Sequence, residues 1–209
     1  MNDQERFWTS VYAADYARKN ASFDRDLGIE AWKKMLHAAP GIETILECGS
    51  NIGGNIGILE DVLPAARKSI IEISPAAFDI VTKNHTLEYA FNGSILDSNL
   101  PQGAFDLVFT RGVLIHIHPD HVVENVRKMV AYSRKYVLVA EYFNRTPVMI
   151  EYQQQKDRLF KRDFGKLLLG IAGLTLVDYG FLWGQIYDRA GFDDITWWLF
   201  GKDCAEISG

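Results

Sequence analysis

The residues best suited to chemistry stand in one short stretch, Glu47-Cys48-Gly49-Ser50-Asn51-Ile52-Gly53-Gly54-Asn55, between an apolar run and the start of a helix. Glycines remove Cβ atoms so that a ligand can approach the backbone, and a helix N-terminus offers unpaired N–H groups. A dinucleotide fingerprint needs glycine two residues after the first; Asn51 stands there, and the Gly-Lys-Ser/Thr of a P-loop is absent. The spacing is Gly49-x-x-x-Gly53 with Glu47 just before it. A second acid, Glu72, ends the next apolar run at 72 − 49 = 23 residues from the first glycine. That is close to the roughly 20-residue spacing at which an acid holds a ribose diol. An ordinary strand–helix turn followed by a solvated strand end is the plain alternative. Loop and acid in register favour cofactor binding.

Such residues need a sheet to position them. Short apolar runs at Thr44–Cys48, Ser69–Ile73, Tyr89–Phe91, Phe105–Thr110 and Tyr136–Ala140 read as strands. Helix-length segments such as Pro75–Asn84 and His121–Ala131 separate most of them, which implies a parallel sheet with right-handed crossovers. Leu174–Phe181 and Ile195–Phe200 read as a closing antiparallel strand pair joined by a Gly- and Asp-containing loop without a helix. Two helical signals precede the first strand: Gln4–Arg18, with an aromatic stripe, and about Asp24–His37, which stops before Pro40-Gly41. The expectation is one α/β domain over residues 1–209, with a helical addition at 1–40 and a wound core at 41–209.

Composition narrows the class. The 209 residues are 48% hydrophobic and 23% charged, which excludes disordered, collagenous and coiled-coil chains. A net charge of −5 argues against nucleic acid as the main partner. There is no apolar run of bilayer length, and the start MNDQERFW lacks the pattern of a secretory signal. Cys48 and Cys204 have neither metal-ligand spacing nor the numbers for a disulfide scaffold. A cytoplasmic enzyme or binding protein, with no membrane or nucleic-acid partner, is expected.

The E-x-G-x-x-x-G pattern resembles motif I of class I S-adenosylmethionine (SAM)-dependent methyltransferases. Further blocks resemble the pseudaminic acid biosynthesis-associated methylase family, found near bacterial surface-sugar gene clusters. They are Phe7-Trp8 with Tyr16, Arg18 and Asn20; Glu47 to Asn55; Gly93 to Asp97; Gly112 to Ile117; Asp157 to Phe164; Val177 to Phe181; and Asp193 to Trp197. This resemblance implies a Rossmann-like fold with an N-terminal helical lid. It also implies SAM as cofactor, S-adenosylhomocysteine (SAH) as product and a small-molecule acceptor from surface-glycan metabolism. Cofactor contacts are then expected from Glu47, Gly49, Ser50, Asn51, Gly53, Asn55, Glu72, Ile73, Gly93, Ser94, Ile95 and Arg111. For Ser94 and Asp97 a capped turn is the competing reading.

The loop after the fourth strand, Thr110 to His116, faces the transferable methyl in such enzymes. Methyl transfer from a sulfonium neutralises charge, so the enzyme must mainly align the nucleophile and deprotonate a hydroxyl. His116 is the leading candidate base, since unperturbed histidine titrates near 6.5; capping the following helix is its other reading. Glu141 and Tyr16 are the alternative catalytic groups. Tyr12, Asn20, Tyr142, Arg145 and Arg162 are substrate candidates, the two arginines as an anion clamp. The charged run from Lys156 to Arg162 also reads as a solvated helix face. His116 and His118 lack a third ligand, so no metal is expected. O-methylation leads N-methylation. A nicotinamide-dependent dehydrogenase and a non-catalytic SAM-binding regulatory subunit are the rivals, and the chain acts as a monomer or homodimer.

Overall fold

The computed structural model describes residues 24–152 and 155–202. Its first element is helix α1 (Arg25–Met35), capped by the Asp24 carboxylate, which accepts from Leu27 N at 3.1 Å. Five strands follow with helices between most of them: β1 (Thr44–Cys48), α2 (Gly54–Val62), β2 (Arg67–Glu72), α3 (Pro75–Asn84), β3 (Tyr89–Asn92), β4 (Phe105–Arg111), α4 (Pro119–Tyr132) and β5 (Ser133–Glu141). A hairpin of β6 (Val148–Tyr152) and β7 (Gln155–Lys161) then precedes α5 (Phe164–Leu169), β8 (Leu174–Leu182), a short α6 (Gly184–Tyr187) and β9 (Ile195–Lys202). The main sheet runs β3-β2-β1-β4-β5-β9-β8. β1 to β5 pair in parallel, and β9 is antiparallel to both β5 and β8.

Alternation along the central strands builds the two core layers, because successive side chains leave opposite faces of a strand. Ile45, Leu107, Phe109, Leu138, Trp197 and Leu199 join one apolar cluster with Ala31, Trp32 and Met35 of α1. Their neighbours Leu46, Val108, Val137, Val139, Trp198 and Phe200 join the other, with Val122, Val126 and Met129 of α4. All five central runs are strands, and Pro75–Asn84 is a helix, as the sequence predicts.

Three features differ from the sequence reading. Helix α1 is a layer of the core rather than an addition in front of it: Trp32 is fully buried and meets Phe109 edge-on at 4.8 Å. The rest of the expected lid, with Tyr12, Tyr16 and Asn20, lies outside the described residues. The connection between β8 and β9 is not a bare loop but carries α6 and a 3-10 turn at Asp188–Ala190. Most of the charged run read as a helix face is strand β7, paired with β6 through Val148↔Lys161 and Ile150↔Leu159. Its apolar residues Leu159 and Phe160 are buried, which sequence charge had masked.

Candidate functional site

Strand order reverses at β1, which lies between β2 and β4. In open sheets the crevice beyond the carboxyl ends of the strands at such a point is where ligands bind. The glycine loop after β1 sits there. Gly49 has φ 83° and Gly53 φ 88°, in the left-handed region that glycine enters without steric cost. A Cβ on Gly49 would lie 2.6 Å from Val113 Cγ2, so the loop after β4 closes directly on the glycine loop.

The loop's N–H groups turn inward. Gly49 N and Ser50 N donate to Ile71 O at 2.7 and 3.3 Å, and Gly53 N donates to Ser50 O at 3.0 Å. Asn51 N donates to Glu72 Oε2 at 2.6 Å, while Ser74 N donates to Glu72 Oε1 at 2.7 Å. Four N–H groups that a pyrophosphate cradle would present are thus already used. Glu72, only 6% exposed, ties the tip of β2 to the glycine loop, and burial raises its carboxyl pKa despite these bonds. Each carboxylate oxygen has a second acceptor site for a hydroxyl.

Glu47 is fully buried at the end of β1, and desolvation pushes its pKa up to about 8. Its Oε1 accepts from Asn55 Nδ2 at 2.6 Å, and its buried Oε2 has no hydrogen-bond partner among the described residues. Asn55 Oδ1 accepts from Arg111 Nη1 at 3.0 Å, and Arg111 Nη2 donates to Gly191 O at 3.0 Å. The Arg111 guanidinium also lies over the Phe192 ring, 4.5 Å from its centroid. Through these bonds Asn55 and Arg111, both expected on the cofactor, join β1, β4 and the β8–β9 connection. Ile73 follows Glu72 at the same rim. Beyond β3, Gly93 N donates to Glu72 O at 3.0 Å and Ile95 is buried. Ser94 Oγ and Asp97 Oδ2 bond each other at 2.9 Å, so the capped-turn reading describes those two side chains.

After β4 the chain makes a 3-10 turn at Leu114–His116. Val113 N and Leu114 N both donate to Glu141 Oε1 at 3.0 Å, and Ile115 N lies 3.4 Å from Oε2. Glu141 is completely buried and its pKa is raised to about 7 by desolvation, against the pull of these bonds. Glu141, expected as an alternative catalytic group, thus has both oxygens engaged by a backbone turn. His116 ends that turn, partly exposed. It does not cap the next helix; His118 does, its Nδ1 accepting from Asp120 N at 3.3 Å. Among the described residues no group of three or more His, Cys, Asp or Glu is placed to hold a metal.

Strand β7 lies against the 3-10 turn, and beside it opens a cleft of about 360 Å³. Its walls are Tyr142 and Phe143 after β5, Lys161 at the end of β7, Phe181 of β8 and the Asp193–Thr196 turn into β9. Tyr142, a predicted substrate contact, is here, with Lys161 Nζ 4.8 Å from its ring centroid. Arg145 is exposed in the loop between β5 and β6. Arg162 stacks toward Phe164 at 5.9 Å with its Nε buried, and burial lowers its pKa. Neither arginine lines the cleft, where the cation is Lys161. Sequence reasoning did not single out the lining residues Phe143, Phe181, Asp193 and Thr196; the acidic pair before the last strand was the available signal.

The chain matches no protein-family model and no curated protein. Among solved structures it is similar to magnesium protoporphyrin IX methyltransferase from Synechocystis PCC 6803 with bound SAM. That match has TM-score 0.70 and 12% identity, over 97% of this chain and 99% of that one. It is also similar to Burkholderia thailandensis 1,6-didemethyltoxoflavin-N1-methyltransferase with bound 1,6-didemethyltoxoflavin and SAH, at TM-score 0.69 and 14% identity, over 95% and 86%. A third similar structure, the cyclase SpnF, gives TM-score 0.61 and 14% identity over 83% and 80%. The fold is the Rossmann-like one of class I methyltransferases, mostly parallel with an antiparallel end. A cyclase on the same fold means that the reaction must be argued from the site. No helix among the described residues is long and apolar enough to cross a membrane.

Proposed function

We propose that this chain is a SAM-dependent methyltransferase acting on a small molecule of bacterial surface-glycan biosynthesis, a sugar, sugar nucleotide or phosphorylated metabolite, in the cytoplasm. The observation that carries the cofactor assignment is the glycine loop at the switch point, with its N–H groups turned inward and Glu72 locked in register beside it. Such a loop suits an adenosine with a non-phosphate tail better than a dinucleotide. The rim residues fit that group: Glu72 has free acceptor capacity for a ribose diol, and Gly93 and Ile95 offer a small and an apolar surface for adenine. Fold likeness to methyltransferases supports this reading, and the resemblance to the pseudaminic acid biosynthesis-associated methylases supports the acceptor class.

The cofactor, when bound, supplies an electrophilic methyl on a sulfonium. The chain's own part is to hold the acceptor in line and take its proton. His116, carried by the turn that Glu141 anchors, is the proposed base, and an O-methylated product is the proposed outcome. The cleft beside β7 is the proposed acceptor site. The N-terminal lid expected from the sequence is kept as a proposal for the segment before Asp24, with Tyr12, Tyr16 and Asn20 as its candidate contacts. Transfer of labelled methyl from SAM to a panel of cytoplasmic sugar nucleotides and sugar phosphates tests the assignment; a panel with no labelled product and SAM recovered intact would count against it.

A further inference from the structure

The cleft's lining is chemically divided, which narrows what it can hold. Phe143 and Phe181 are 44% and 49% exposed, large ring surfaces left facing solvent beside it. The two acids differ in what they already do. Asp194 Oδ1 accepts from Gly184 N at 2.8 Å, and its φ of 52° marks it as the residue that shapes the turn. Asp193 makes no side-chain hydrogen bond or ion pair among the described residues. Its Oδ1 instead leans over Gly184, where a Cβ would come within 2.7 Å of it. The room that glycine leaves sets a carboxylate in the cleft wall without a partner. Another wall carries Lys161, whose ammonium rests over Tyr142 and forms no ion pair among the described residues. Among the described residues the cleft thus sets two carboxylates, Asp193 with no hydrogen bond and Asp194 with one oxygen engaged, against one ammonium, Lys161, with ring surfaces beside them.

We infer that the acceptor is a small zwitterion of the phosphorylated amino-sugar kind, its ammonium on Asp193, its anionic group on Lys161 and its ring against Phe143 and Phe181. This inference rests on the reading of the cleft as an acceptor site. Charge-assisted hydrogen bonds are the strong ones, and a ligand lacking either charge leaves the facing group unpaired. A purely anionic acceptor would meet Asp193 as a like charge, and a purely cationic one would meet Lys161 so.

The test measures binding by calorimetry to the full chain saturated with SAH, using three probes: glucosamine 6-phosphate, glucose 6-phosphate and glucosamine. Glucosamine 6-phosphate is expected to bind at least about tenfold tighter than either other probe, the ratio one charge-assisted bond supplies. Asp193→Asn should abolish the preference over glucose 6-phosphate, and Lys161→Met the preference over glucosamine, each leaving SAH affinity unchanged. Equal affinities for the three probes, no binding of any of them, or preferences that survive both substitutions would overturn the inference. SAH affinity, read in the same titrations, is independent of it: SAH binding without probe discrimination sinks the zwitterion alone, whereas absent SAH binding sinks the methyltransferase reading.

Discussion

Removing one oxygen from Glu141 should damage methyl transfer without touching either ligand. The carboxylate is fully buried and receives Val113 N and Leu114 N at 3.0 Å on Oε1 and Ile115 N at 3.4 Å on Oε2. In Glu141→Gln the amide oxygen can keep the first two donors, but its NH₂ then faces the Ile115 N–H, donor against donor. One buried donor left unsatisfied costs about 1–3 kcal/mol. If that strain appears as displacement of His116 in the transition state, kcat falls roughly 5- to 150-fold. Glu141→Ala strips all three donors, at ~1 kcal/mol or more each, and should lower stability by at least about 3 kcal/mol. The pH dependence has a definite sign. Because the folded pKa, about 7, lies above the ordinary 4.5, the stability Glu141 contributes is complete below 4.5 and is lost as pH rises to about 7. Glutamine does not titrate, so the deficit of Glu141→Gln should narrow across that window. The assay pairs thermal melts from pH 4.5 to 8 with kcat on the best acceptor and SAH affinity by calorimetry. A Gln variant with unchanged kcat, or one whose SAH affinity falls as much as kcat, would refute the positioning role; restored kcat in Glu141→Asp would show that acceptor oxygens rather than length matter.

Three further outcomes are expected. Glu72→Ala should weaken SAH binding roughly tenfold or more, since it removes charge-assisted bonds to the ligand and frees Asn51 N, and unchanged calorimetric affinity would return Glu72 to a purely structural strap. Glu47→Gln should fold normally at neutral pH and flatten the stability profile between about 5 and 8, because the buried acid now favours its neutral form and loses stability as pH rises toward 8; melts that keep the wild-type slope would locate the titration elsewhere. His116→Asn should keep SAH affinity while kcat falls by roughly 10²–10⁴, the contribution of a positioned base, and full activity with SAM saturating would remove His116 from that role.

The sheet was legible because its signals are local and redundant. Thr44–Cys48, Phe105–Thr110 and Tyr136–Ala140 are continuous apolar runs, as strands buried on both faces must be. Glu47, Gly49, Gly53 and Glu72 were legible because the backbone turn and the strand-end acid are set by spacing. The rest depends on long-range pairing. Nothing near Glu141 in sequence says that its carboxylate receives N–H groups 26 to 28 residues earlier. β7 hid its two apolar residues among charges, so a run such as Lys156–Arg162 reads as a helix face until Leu159 and Phe160 are seen packed inward. Arg111 ends β4, and only the fold brings Asn55, Gly191 and Phe192 to it. The cleft draws on β7, β8, β9 and the loop after β5, elements far apart in the chain, which is why its carboxylates and ammonium were not singled out together.

Calorimetric titration of the full chain with SAM and, separately, with NADH bears most directly on the central claim. A glycine loop with inward N–H groups and Glu72 at the neighbouring strand tip should give saturable heat with SAM at one equivalent per chain, and none with NADH. Tight binding of NADH with no heat from SAM would contradict it.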